Sequence, residues 1–179
     1  MRILVYVEAR NGTLSWDSLG LLRRAAAVGE ADAFVCGAGA RELAAHAAAQ
    51  GAARVAVADD TRLDEPLPQP HIDALYSYCQ STRYDAIFFA STVLSADIAG
   101  GLAARLEAGV NWDLQDVEDR SGELIGSRLA LGDSVLVEAG WTTAIRLASF
   151  RPGAFEPDME SAAANHEIVD VDEIGRAHV

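Results

Sequence analysis

The sequence predicts an α/β fold: three layers, a mostly parallel sheet with helices on both faces, plus a small antiparallel set of strands after residue 107. Two observations carry this reading. Through residue 107, short apolar runs alternate with helical patterns in the order βαβαβαβα, which implies right-handed crossovers between parallel strands. Beyond Glu107 the runs are short, alternating and too closely spaced to leave room for helices.

Each element has its own signal. Ile3-Leu4-Val5-Tyr6-Val7 is an apolar run that ends on Glu8, and the Asn11-Gly12 pair that follows marks a turn. Ser15 and Asp17 can open a helix reaching Val28, with Gly29 at its stop. Ala33-Phe34-Val35-Cys36 is the second strand and closes on Gly37-Ala38-Gly39; the next helix spans about 40–50, with Gly51 just beyond it. Arg54-Val55-Ala56-Val57-Ala58 gives the third strand, ending at Asp59-Asp60. A proline-rich loop, 66–70, leads into a helix whose apolar face is Ile72, Leu75, Tyr76 and Cys79.

The organising stretch is 84–106. Ala86-Ile87-Phe88-Phe89-Ala90 is apolar throughout, as a strand buried on both faces requires. The polar Ser91-Thr92 turn follows, and then a helix with Ile98, Leu102 and Leu106 on one face. Ser95 is the expected cap of that helix, and Asp97 is placed in its first turn, where negative charge suits the dipole. Later, 124–131, 134–139 and 142–150 are read as the antiparallel set, with Gly132-Asp133 turning between the first two. Residues 157–179 are acidic and polar, with one strand candidate at 167–171, and are expected to be a tail or linker after a domain of 1–156.

Composition removes several functions. The chain has 179 residues and a net charge of −13, and every basic residue is arginine. Without lysine there is no Schiff-base residue, no P-loop grip on phosphate and no basic stripe for nucleic acid. No apolar run approaches the roughly 18 residues of a spanning helix, so no membrane insertion is expected. Met1-Arg2 leads directly into a strand pattern, so no secretory leader is expected and the cytoplasm is the expected compartment. Cys36 and Cys79 lack CxxC spacing and fall in apolar patterns, as reduced, buried thiols do.

Candidate sites are few. In open parallel sheets ligands sit beyond the carboxyl ends of strands, which singles out two loops as nucleotide-loop candidates. One is Ser91-Thr92 with Ser95 and Asp97; the other is Gly37 and Gly39, with Arg41 nearby. The plainer account of the first is a capped helix with its orphan amides satisfied, and of the second a tight strand-to-helix turn. Glu8, Asp59 and Asp60 stand at strand ends, where turn chemistry explains them as well as catalysis does. No residue set is read as catalytic, and His46, His71, His166 and His178 lack neighbours at metal-ligand spacing.

At two stretches the sequence resembles the alpha subunit of electron transfer flavoprotein. A family motif of the kind T-x-x-G-[RK]-D-x-A-x-R-x-A-x-x-L is met here by Thr92, Asp97, Ala99, Ala103 and Leu106. The later match is a hairpin at 130–135 similar to the family's Y-G-G-N-A region, then a strand ending in Arg151-Pro152-Gly153-Ala154-Phe155, the family's RPGAF. The opening ILVYVEA and Val57-Ala58-Asp59-Asp60 also look familial, and the resemblance covers nearly all of 1–156. Ser95, Ala96 and Gly101 depart from the glycine, basic residue and arginine of the motif.

The resemblance implies an adenine-nucleotide-binding-like, Rossmann-type fold. It implies a beta-subunit partner, with electrons passing from dehydrogenases, acyl-CoA dehydrogenases among them, to a quinone reductase or another acceptor. The family's FAD belongs to a following domain whose glycine-rich segment has no counterpart here, so no cofactor and no catalytic activity is expected of this chain itself. Arg151, Pro152, Gly153 and Phe155 are implied to shape the exit towards that domain and the subunit interface, with Trp112 and Trp141 as candidate interface aromatics. Without its partner the chain is expected to expose a surface on which a homodimer could form. A stand-alone nucleotide-binding or sensor protein of the same fold is the alternative.

Overall fold

The computed structural model describes residues 1–162 and 165–171. Its centre is a seven-stranded, wholly parallel sheet in the order β12-β5-β4-β1-β6-β11-β7. The strands are β1 (Arg2–Val7), β4 (Glu30–Cys36), β5 (Arg54–Ala58), β6 (Ala86–Ala90), β7 (Gly109–Leu114), β11 (Arg146–Phe150) and β12 (Glu167–Asp170). A short ribbon, β2 (Ala9–Arg10) and β3 (Thr13–Leu14), closes over the Asn11-Gly12 turn. A second sheet, antiparallel, joins β8 (Asp116–Arg120), β9 (Glu123–Ala130) and β10 (Val135–Ala139).

Among the described residues four α-helices cover the main sheet: α1 (Trp16–Val28), α2 (Ala40–Ala48), α3 (Pro68–Ser81) and α4 (Val93–Leu106). Alternation along the strands divides the core in two. Ile3, Val5, Val7, Phe88 and Phe150 pack towards α1 and α2, while Leu4, Tyr6, Phe34, Ile87 and Phe89 pack towards α3 and α4. The three-layer expectation therefore holds, and it holds because each central strand is apolar on both faces.

Three details differ from the sequence reading. The run 142–150 is not a third antiparallel strand: Arg146–Phe150 lies inside the parallel sheet, between β6 and β7. Leu147 faces one core and Ala148 and Phe150 the other, so only an interior position buries all of them. The third antiparallel strand is instead Asp116–Arg120, whose acidic, mostly exposed sequence hid it, as did the polar Asn111 and Asp113 of β7. The cap of α4 is Thr92 rather than Ser95. Ser95 occupies the third helical position and closes a capping box, which puts Asp97 beyond the first turn and on the exposed side.

The strand expected at 167–171 forms and pairs with β5, so this part of the tail adds an edge to the main sheet. Arg54 and Arg41 secure it through Glu167 and Asp170. His178 lies outside the described residues.

Candidate functional site

The chain runs from β1 through α1 to β4 on one side, and later returns through α3 to β6 on β1's other side. The direction of winding reverses between β1 and β6, and a crevice opens there beyond the carboxyl ends of the strands. It has a volume of about 620 Å³ and is bordered by Tyr6, Glu8, Ala38, Asp64, His71 and Leu94, among others.

Beyond the strand pairing, a side-chain hydrogen bond spans the reversal. Thr92 Oγ1 donates to Glu8 Oε2 at 2.7 Å, tying the end of β1 to the start of α4. Thr92 Oγ1 also accepts from the Ser95 amide at 3.0 Å, and Ser95 Oγ accepts from the Thr92 amide at 2.8 Å. Ser95 Oγ in turn donates to the Ala90 carbonyl at 2.5 Å. The Ser91 amide is taken by the Phe150 carbonyl at 2.8 Å.

The second loop is filled in the same way. Gly37 and Gly39 adopt positive φ of 117° and 76°, which turns successive amides towards one side. That concavity is where an anion would sit, and the protein's own carboxylates are in it. Ala38 N–H donates to Asp64 Oδ1 at 2.8 Å and Gly39 N–H to Asp59 Oδ1 at 2.9 Å, with Arg41 N–H reaching Asp59 Oδ2 at 3.3 Å. Leu94 and Ala38, one from each loop, line the crevice; Ser91, Thr92, Ser95, Gly37 and Gly39 are not themselves among its lining residues, and Asp97 lies outside it. The Ala38, Gly39 and Arg41 amides are thus already taken by carboxylates and the Thr92 and Ser95 amides by the capping box, so none of these is left open for the pyrophosphate of a flavin.

The crevice also brings together residues to which the sequence reading gave no site role. His71 is 3% exposed, and its Nδ1 lies 3.1 Å from Tyr6 Oη and 3.2 Å from Cys36 Sγ. Burial pushes the Cys36 thiol up to about 12, holds the Tyr6 hydroxyl protonated well above its ordinary range and lowers the His71 pKa. The Cys36–His71 juxtaposition is therefore a neutral thiol beside a neutral ring, not an activated nucleophile. One signal was available: His71 precedes Leu75 and Tyr78 at helical spacing, on the buried stripe of α3. Cys79 is half-buried rather than buried, and both thiols are free.

The RPGAF segment docks beside α1. Arg151 forms a two-pronged pair with Asp113, at 2.7 and 3.0 Å, and its amide donates to the Leu114 carbonyl. Gly153, at φ 73°, donates to Asp17 at 2.8 Å, and Phe155 packs on Phe150 with ring centroids 5.6 Å apart. Trp141 is half-buried and donates to the Leu147 carbonyl at 2.8 Å, whereas Trp112 is 39% exposed. On the β9–β10 hairpin, Leu131 in the turn and Val135 and Leu136 on β10 are exposed. Among the described residues no helix is long and apolar enough to cross a membrane, and no group of three or more His, Cys, Asp or Glu could hold a metal.

A doubly wound parallel sheet with a crevice at its winding reversal defines the class: an α/β domain of nucleotide-binding architecture. A model of the electron transfer flavoprotein domain matches residues 3–174, and the chain belongs to that family. The electron transfer flavoprotein subunit alpha of Mycobacterium tuberculosis (strain H37Rv) is 32% identical over 171 residues, covering 94% of this chain and 53% of that protein. The subunit alpha of Mycobacterium leprae is 30% identical over 170 residues, covering 94% and 52%. Protein FixB of Clostridium saccharobutylicum is 28% identical over 165 residues, covering 86% and 48%. The chain spans about half the length of the curated relatives it matches.

Proposed function

We propose that this chain is the amino-terminal, assembly-forming domain of an electron transfer flavoprotein alpha subunit, working in the cytoplasm and pairing with a beta subunit. The observation that carries the reading is the family match over 3–174, together with similarity to alpha subunits over half their length. In this reading FAD is held by a following domain, and 157–179 leads towards it. The dehydrogenases and the quinone reductase or other acceptor belong to the whole assembly, and this domain contributes the platform rather than the chemistry.

Two features support an assembly role. The Ala38, Gly39, Thr92 and Ser95 amides of the two candidate loops are engaged internally, as suits a domain that positions a partner instead of a cofactor. The β9–β10 hairpin presents Leu131, Val135 and Leu136 to solvent, and Trp112 of β7 is also exposed, the kind of side chains that interfaces bury.

The test is co-expression with the electron transfer flavoprotein beta subunit of the same organism, followed by native mass. A one-to-one complex is expected, weakened by Leu136→Asp. A chain that stays alone or forms only a homodimer counts against the reading. The intact mass and visible spectrum of the protein from its own source test the flavin half: a mass above 19.0 kDa with flavin absorbance is expected.

A further inference from the structure

The crevice has a chemistry that the assembly role does not use. Glu8 is only 8% exposed, and its Oε2 is held by Thr92. Among the described residues, the partner of Oε1 is the Arg10 guanidinium, 3.6 Å away and on a side chain that is mostly exposed. Such a contact is weak, because water competes for both groups. Across the crevice, His71 is more than nine-tenths buried, and among the described residues its Nε2 has no hydrogen-bond partner.

Both neighbours of His71 Nδ1 are held protonated, the Tyr6 hydroxyl at 3.1 Å and the Cys36 thiol at 3.2 Å, so each can donate to it. With Nδ1 accepting, the ring proton resides on Nε2, where no described acceptor completes a hydrogen bond although the Glu65 carbonyl lies near the ring. An unpaired buried donor costs free energy that a ligand acceptor would recover.

Charge selects the ligand. The amides that would take a phosphate already hold Asp59 and Asp64, and Glu8, Asp64 and Glu65 outnumber Arg10 around the opening. A phosphate would meet repulsion from these carboxylates, whereas a cation would meet a buried one. Arg10 shows the preferred chemistry: an internal guanidinium rests loosely where a ligand cation would sit.

We propose that this crevice binds a small organic ammonium or guanidinium ion that also carries a hydrogen-bond acceptor. The cation rests on Glu8 in place of Arg10, and the acceptor receives the His71 Nε2 proton. The proposal does not depend on the flavoprotein reading.

The test is a calorimetric and NMR titration of the 179-residue chain with N-acetyl-arginine amide, against its uncharged isostere N-acetyl-citrulline amide and against AMP. Saturable one-to-one binding is expected, with the His71 ring signals shifting and the citrulline compound weaker by roughly tenfold or more. Glu8→Gln should lose a similar factor, and Arg10→Ala, on the exposed ribbon, should tighten binding several-fold. Absence of saturation by about 10 mM, where binding free energy falls below roughly 3 kcal/mol, overturns the proposal. So does equal binding of the citrulline compound, tighter binding of AMP, or affinity indifferent to Glu8→Gln. If Glu8→Gln does not fold, Arg10→Ala decides: unchanged or weakened binding overturns the proposal.

Discussion

The carbonyl of Phe155 lies against α1 at Gly20 so closely that a β-carbon built on Gly20 would stand 2.2 Å from the carbonyl oxygen. The RPGAF segment therefore seats on the helix backbone itself, and Arg23 adds a hydrogen bond to the Glu156 carbonyl at 3.3 Å. Gly20→Ala must push the segment off the helix. It is expected to destabilise the chain by roughly 1–3 kcal/mol in urea unfolding. Gly100→Ala is the control: its β-carbon meets nothing within 4 Å, and helix propensity predicts a gain of about 0.5–1 kcal/mol. Equal effects of the two substitutions would show that the contact at Gly20 is not tight.

Thr92 has two tasks, capping α4 and satisfying Glu8. Thr92→Val removes both and is expected to cost about 1–2 kcal/mol, the upper part of the range for a lost cap. Thr92→Ser keeps the hydroxyl and should lie within about 0.5 kcal/mol of the wild type, since Ser caps as well as Thr. Chemical denaturation of the two variants side by side checks the claim, and a Val variant as stable as the Ser variant would contradict it.

Both thiols should be slow to react. Burial raises Cys36 and Cys79 from the usual 9 to about 12, so the thiolate fraction at pH 8 falls on the order of a thousandfold, one power of ten per unit. Iodoacetamide labelling followed by mass spectrometry should show little modification of the native chain over hours, and rapid double labelling in denaturant. Fast single labelling of the native protein would mean that one thiol is more open than its packing indicates.

His71 makes stability depend on pH in a defined direction. Burial lowers its folded pKa below the ordinary 6.5, against the milder opposing influence of the Glu65 carbonyl and the Glu8 carboxylate. Below about pH 6.5 the unfolded chain takes up a proton that the folded chain refuses. Stability is thus full above 6.5 and falls as pH drops towards the folded value, by up to about 1.4 kcal/mol per pH unit for one proton. His71→Gln should flatten that part of the profile between pH 6.5 and 5. A ring titration by NMR with a midpoint above 6.5 would refute the sign.

Much of the fold was legible because burial on both faces leaves a mark in the chain. Val5, Phe34, Val55 and Phe88 sit in apolar runs, and the helices between them repeat at the helical period, so the parallel core could be written down in order. The family resemblance rested on local motifs and was equally accessible. The polar strands were not: β7 and β8 owe their place to neighbours in space, and nothing in Asn111, Asp113 or Asp116 announces a strand.

The crevice divides along the same line. Local sequence was enough to place Ser91, Thr92, Gly37 and Gly39 at the carboxyl ends of strands, because turn and cap chemistry depends on near neighbours. What those loops hold was settled only by tertiary structure. Asp64 reaches Ala38 across 26 positions, Glu8 meets Thr92 across 84, and His71 meets Tyr6 across 65. Order along the chain specifies strands and helices through local periodicity. Charge pairing and burial of polar groups depend on which distant segments the packed sheet brings together, and no periodicity encodes that.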